Sequence, residues 1–450
     1  MLPNLTQLLN QAFHVDNLSL IMAALITLVV ITVSTFSKRY MAGDRYHVRH
    51  TGDIFLLAAS VLVLVCANHL LALLAGWALS NFFLVRLMVH KKEWLAAKNS
   101  GKLAKITLAT GFIMLSAAAG LLAQATGSTS IHTILAQVNT IAPQPLLLAT
   151  LLIALAAMTQ SAAWPFHKWL TSSLNSPTPV SALMHAGLVN GGGFLLARFA
   201  PLFLAQPLLL HLLFVIGLIT AILGTAWKLL QSDIKRMLAC STMAQMGFMI
   251  AQCGMGLFAP AVSHLVWHGF FKAYLFLGNG SVIQEKIRKN HFENITPFSF
   301  TLACIFGMAG ALAFTKVTHI PMHVSNTGLI MVGLAFMACT QLAGTLLKNI
   351  SIPKVLAAFV ASLTLGGLYG GSIWLIEIAL APLQLWQPQP LNWVYITGFI
   401  ALVLVWLAMN LNIAARLQNS SAWQRLYFAA LNGSQPHPTT VTATRSTYQI

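Results

Sequence analysis

Leu208-Leu-Leu-His-Leu-Leu-Phe-Val-Ile-Gly-Leu-Ile-Thr-Ala-Ile-Leu-Gly-Thr-Ala-Trp227 is an apolar run without a formal charge. About 20 such residues, wound as helix, cross the hydrocarbon of a bilayer. Comparable runs recur along all 450 residues, and the composition agrees: 57% hydrophobic, 7% charged. Soluble domains carry about 25% charged residues. The runs are continuous, whereas barrel strands alternate apolar and polar positions. Because lipid offers no partner to a bare backbone group, helices remain. The sequence therefore predicts an all-α polytopic membrane protein.

About thirteen spans are expected, near 17–36, 53–67, 69–90, 104–123, 145–164, 178–200, 206–229, 235–253, 259–284, 297–316, 327–347, 354–382 and 393–415. Loop charge tests the count. Ser37–His50, Lys91–Lys105, His167–Lys168, Gln231–Arg236, Glu285–Lys289 and Lys348–Lys354 are basic, and the loops between them carry almost no Lys or Arg. By the positive-inside rule this places the N-terminus outside and the C-terminus in the cytoplasm of a bacterial inner-membrane protein. The net charge of +17 is scattered over these loops. It points to anionic membrane lipid as partner and not to nucleic acid. Residues 1–432 read as one transmembrane ion-translocating domain, and 433–450, rich in Thr, Ser and Pro, as a disordered cytoplasmic tail.

Two segments make poor straight helices. Pro165–Pro179 holds prolines and polar residues between two spans, and Gly191-Gly192-Gly193 interrupts the next. Such breaks either line a cavity or ion site, or mark an interfacial loop followed by a tightly packed helix.

The strongest chemical pattern is His264-Leu-Val-Trp-His268-Gly-Phe-Phe-Lys272. The i, i+4, i+8 spacing puts three basic side chains on one helix face, over roughly 12 Å of depth. A lysine at mid-span costs about 2.5–3.5 kcal/mol on insertion scales, so it must face protein or water. Histidine exchanges protons near neutrality. The set reads as a proton relay, the alternative being two satisfied core histidines and a snorkelling lysine. His185 lies nearly two turns into a helix that Thr178 is expected to cap, and alone it divides evenly between structure and relay. In Gln231-Ser-Asp233-Ile-Lys235-Arg236, Asp233 and Lys235 read either as helix cap and loop charge or as a channel mouth. Lys316 and Glu377 fall near span ends and read as interface residues. The five cysteines lack metal or disulfide spacing, and nucleotide loops and nucleophile triads are absent from the sequence. The chain does not read as an enzyme by itself, and it needs no cofactor of its own.

Several motifs taken together resemble the antiporter-like subunits of complex I and the Mrp cation/proton antiporters. They are Val15-Asp-Asn-Leu-Ser19, Tyr40-Met-Ala-Gly-Asp44, Ser176-Pro-Thr-Pro-Val-Ser-Ala-Leu-Met-His185-Ala, Ser241-Thr-Met-Ala-Gln-Met-Gly247 and Phe270-Phe-Lys-Ala-Tyr-Leu-Phe276. The resemblance implies inverted five-helix repeats with broken helices. Within that superfamily, His185-Ala-Gly-Leu-Val-Asn190-Gly-Gly-Gly-Phe and Gln252-Cys253-Gly-Met-Gly look most like the DabB-type membrane subunits of the DAB inorganic-carbon accumulation complexes. That likeness implies a subunit passing H⁺ or Na⁺ down a gradient. Its soluble carbonic-anhydrase-like partner, DabA-type and zinc-containing, would hydrate carbon dioxide to bicarbonate. In two places the chain departs from the pattern: Ala78 follows Gly76-Trp77 where a glutamate is usual, and Gln160 stands where a lysine is usual. The implied ion path therefore uses His264, His268, Lys272, Asp233, Lys235 and His185, with Gln160 and Asn190 as neutral hydrogen-bonding groups. Competing readings are a subunit of a complex I-like redox pump or Mrp-type antiporter, and a passive anchor.

Overall fold

The computed structural model describes residues 12–279, 296–348, 350–411 and 417–441. Thirteen membrane-length segments occur in the expected order. They are α1 Asn17–Tyr40, α2 His47–Cys66, α3 Leu70–Met88, α4 Leu95–Thr126, α5 Pro143–Gln160, the broken pair α6 Thr178–Ala186 and α7 Gly191–Arg198, α8 Pro207–Leu229, α9 Ile234–Gly254, α10 Phe258–Leu277, α11 Pro297–Thr318, α12 Gly328–Leu346, α13 Ile352–Leu380 and α14 Trp393–Asn410. Eleven of these spans are long and apolar enough to cross a membrane on those grounds alone. The less apolar α9 and α10 carry the polar residues of the candidate site. A further helix not foreseen from the sequence, α15 (Ser421–Ser434), follows α14.

Local chemistry sets the boundaries. Asp16 caps α1 by accepting from Ser19 N at 2.8 Å, and Lys38 and Arg39 sit at its C-terminal end, where cations oppose the helix dipole. Asn392 likewise accepts from Val394 N at 3.0 Å at the start of α14. Gly127, at φ +66, ends α4 in the left-handed conformation that glycine adopts without cost. Thr178 does not cap α6 as expected. Pro177, extended at ψ 148, lets the helix begin one residue earlier, and the Thr178 hydroxyl turns to Tyr40 OH at 3.4 Å.

The chain forms two compact units. Of the described residues, the first holds 12–254, 264–279 and 430–441. Within it α8 and α9 pack backbone to backbone. A Cβ on Gly254 would stand 2.3 Å from Phe214 N, and one on Gly217 2.4 Å from Ala251 N. Small residues of this kind let membrane helices approach where no hydrophobic drive separates helix from lipid. Arg198, at the end of α7, is paired with Asp16 and also donates to Ser19 Oγ at 2.9 Å, tying α7 to α1.

The second unit, residues 255–263 and 283–429, is built on α11, α12 and α13. Ala303, Phe306, Ala343, Leu347 and Ala358 form its core cluster. Cys339 Sγ donates to Ser362 O at 3.6 Å. Of α14, Tyr395 alone is buried among the described residues.

Part of the stretch expected as a free tail is ordered on the first unit. Lys168 Nζ donates to Gly433 O at 3.1 Å and Gln435 O at 2.9 Å, and Asn175 Nδ2 donates to Thr440 O at 3.0 Å. Residues 442–450 lie outside the described residues, as do 280–295 with the basic loop Glu285–Lys289.

Candidate functional site

The site grows from the break in the span 178–198. α6 ends at Ala186, Gly187 leaves helical geometry, and a short 3-10 turn over Leu188–Asn190 leads into α7. The last carbonyls of a helix have no partner within it, and inside a membrane water is not at hand to satisfy them. Here side chains do so. His268 Nε2 donates to His185 O at 3.2 Å, Asn190 Nδ2 to Ala186 O at 2.9 Å, Gln160 Nε2 to Leu188 O at 3.2 Å and Ser161 Oγ to Val189 O at 2.8 Å. The second break, after α5 at Gln160, thus faces the first. Trp169 Nε1 closes it by donating to Thr159 O at 3.0 Å.

Gly192 makes that meeting possible, since a Cβ there would lie 2.3 Å from both Ala157 O and Ser161 Oγ. Tight packing and a cavity coexist. Gln160, Gly187, Leu188 and Gly191 also line a narrow cavity together with Met22, Trp77 and Ser80.

On α10, His264, His268 and Lys272 share one face. The rings of His264 and His268 stack with centroids 6.1 Å apart. Lys272 is fully buried and donates to Leu238 O on α9 at 3.1 Å. Among the described residues it forms no ion pair. Thr242, one turn further along α9, donates its hydroxyl to the same carbonyl at 3.0 Å and meets His185 Nδ1 at 3.0 Å. Because the hydroxyl hydrogen is spent on Leu238 O, His185 Nδ1 is assigned as the donor. By the same logic neutral His268 carries its proton on Nε2, which faces a carbonyl. The ring of Phe276 stacks on His185 at 4.4 Å and excludes polar competitors from that face. His268, His185, Thr242 and Lys272, with the half-buried His264 stacked at one end, therefore form one line on α6, α9 and α10.

The other sequence-predicted residues stand apart. Gln160 faces the α6–α7 break from α5, donating to Leu188 O, while Asn190 Nδ2 lies 3.4 Å from Leu265 O on α10. Lys235 reaches Ser176 O at 2.9 Å, just ahead of α6, one turn before Leu238. Asp233 is exposed and accepts from Arg236 N at 2.8 Å, an N-terminal cap of α9. The structure does not bring it to the line. Thr242 was overlooked in the sequence as a linking residue. Its one signal is a hydroxyl on α9 four residues after Leu238, which becomes meaningful only when α6 is known to lie alongside. No group of three or more His, Cys, Asp or Glu side chains among the described residues is disposed to hold a metal ion.

Broken spans meeting in the membrane, beside a buried basic line, define an antiporter-like membrane subunit. The chain belongs to the NADH:quinone oxidoreductase/Mrp antiporter transmembrane family: residues 67–302 match that family's model. Residues 8–50 match the complex I chain 5 N-terminus of NADH-ubiquinone oxidoreductase. It is similar to the probable inorganic carbon transporter subunit DabB1 of Halothiobacillus neapolitanus, 41% identical over 61% of this chain and 50% of that protein. The probable inorganic carbon transporter subunit DabB of Bacillus anthracis is 35% identical over 68% of this chain and 60% of that protein. The chloroplastic NAD(P)H-quinone oxidoreductase subunit 5 of Pelargonium hortorum is 34% identical over 78% and 47%. The chain thus spans about half the length of the curated relatives it matches. Among solved structures, the Mrp complex from Dietzia sp. DQ12-45-1b overlays 94% of this chain, and 52% of that one, at a TM-score of 0.65 and 25% identity.

Proposed function

We propose that this chain is the cation-conducting subunit of an inorganic-carbon accumulating complex. It passes H⁺ or Na⁺ along the line His264, His268, His185, Thr242 and Lys272, with Lys235 at the basic-side mouth and Gln160 a neutral neighbour. The ion's descent is coupled to carbon dioxide hydration by a soluble carbonic-anhydrase-like, zinc-containing partner in a bacterial inner membrane, with the C-terminus cytoplasmic. The observation that carries this reading is Lys272: fully buried, without a counter-ion among the described residues, and joined through Leu238 O and Thr242 to His185. A merely structural residue at such a site would be apolar, given the cost of a lysine in a span. The named relatives supply the substrate, and the neutral Gln160 and Ala78 support a single working half-channel. Asp233 is assigned to capping α9.

Lys272→Ala tests the reading, because it removes the exchanging group and keeps the helix. The assembled variant should lose coupled carbon uptake, and normal uptake would overturn the role of the line. Affinity purification in mild detergent, with zinc analysis, tests the partner. Co-purifying membrane subunits without zinc would move the chain to the redox-pump or antiporter branch, towards which the Pelargonium relative points.

A further inference from the structure

We propose that the groove between the basic-side halves of α3 and α4 is a binding site for an anionic phospholipid. The groove has a volume of about 550 Å³, opens to the surface, and is lined by residues of both helices and of the start of α2. Its mouth carries Arg49, Arg86, Lys92 and Lys105, and its walls Phe82, Val85, Leu108 and Phe112. Charge at the mouth with apolar walls beyond it is the division a phospholipid presents, headgroup above acyl chain. A free inorganic anion would gain nothing from the walls.

The charge is neutralised only in part. Asp53 pairs with Arg86 at 2.9 Å and lies 3.8 Å from Arg49, whereas Lys92 and Lys105 form no ion pair among the described residues. Ala78, which stands where the family resemblance implies a glutamate, also lines the groove, so no carboxylate faces the cations from that position. A second observation points the same way. Asn81 lines the groove at 8% exposure, and neither Oδ1 nor Nδ2 has a hydrogen-bond partner. Burying an amide unpaired is costly. Phosphate and glycerol-ester oxygens entering the groove would accept from its Nδ2. The wall also opens towards lipid: Phe82 on α3 and Ile106 on α4 are 57% and 56% exposed. Basic pockets between spans on the cytoplasmic side commonly hold acidic headgroups.

The test reconstitutes the full chain, with whatever partners co-purify, into nanodiscs of mixed phosphatidylglycerol and phosphatidylcholine. It is re-extracted in mild detergent, and retained lipid is counted by native mass spectrometry. Phosphatidylglycerol should be retained over phosphatidylcholine. Each lysine contributes about fivefold, so Lys92→Gln with Lys105→Gln should cut retention by about 25-fold. Ala109→Trp, which fills the apolar wall and leaves every charge, should cut it as well. Lys98→Gln with Lys102→Gln, on the same helix but outside the groove, should leave it unchanged. Equal retention of both lipids, an equal loss in the control pair, or displacement by millimolar inorganic phosphate would overturn the proposal. So would full retention in Ala109→Trp. If Ala109→Trp fails to fold, the exposed lysine pairs still decide.

Discussion

Thr242→Val isolates the one link in the buried line that no charge supplies. The substitution preserves shape and removes a hydroxyl that donates to Leu238 O at 3.0 Å and meets His185 Nδ1 at the same distance. Leu238 O keeps Lys272, so the loss falls on His185, 1% exposed, whose Nδ1–H is left unpaired. A buried donor without an acceptor costs about 1–3 kcal/mol. If a proton crosses this link, the barrier rises by a similar amount and flux falls about five- to 140-fold. The assay is dye-reported proton flux into liposomes holding the purified protein, driven by an imposed pH gradient. Thr242→Ser should restore most of the flux, since it returns the hydroxyl without the methyl. Unchanged flux in Thr242→Val, in protein that remains monodisperse, would refute the link. Loss in both variants would show that the methyl, and hence packing, is what matters.

Gly192→Ala should destabilise the first unit by about 1–3 kcal/mol, because the added methyl meets Ala157 O and Ser161 Oγ at 2.3 Å. A lowered thermal midpoint in detergent would show it, and an unchanged midpoint would mean the two breaks can move apart. His167 lies in the loop outside the spans, its ring tilted against Trp227, and burial first, then the neighbouring Lys168, pushes its pKa down to about 4. The unfolded chain binds this proton more readily than the folded one between about pH 6.5 and 4. Stability is therefore full above that window and is lost as pH falls through it, by about 3 kcal/mol. His167→Phe should flatten this dependence in thermal scans from pH 7 to 4, and an equally steep profile in the variant would assign it elsewhere.

The span order was legible because length and apolar continuity are local properties. The segments fall within a few residues of their expected places, apart from earlier starts for α2 and α4 and the expected ends of α10 and α14, 284 and 415, which lie outside the described residues. Both run past the basic residues thought to lie in loops, so Arg49 and Lys105 are helical. The breaks were legible in part: the prolines before Pro179 marked the one after α5, whereas the other falls at Gly187–Asn190, and the glycine run expected to interrupt the span opens α7 as helix. How the breaks are satisfied was not. Four carbonyls from His185 to Val189 are taken by side chains from α5, α10 and the break itself, a pairing set by which helices are neighbours in space. Thr242 was missed for the same reason, and α15 because its apolar face is too short to stand out in hydropathy. Asp233 shows another case: the pattern allowed either a cap or a channel mouth, and the local geometry is a cap.

The contacts of residues 433–441 bear on the order in which the protein is completed. Lys168, Ser172 and Asn175, in the loop that follows α5, find partners in Gly433, Gln435, His437 and Thr440. Translation produces that loop some 260 residues before the groups that satisfy it. During synthesis the loop must wait with these groups unpaired, and the region after α5 is sealed only once nearly the whole described chain has emerged. A nascent chain stalled before residue 433 would hold all its spans and still lack this seal.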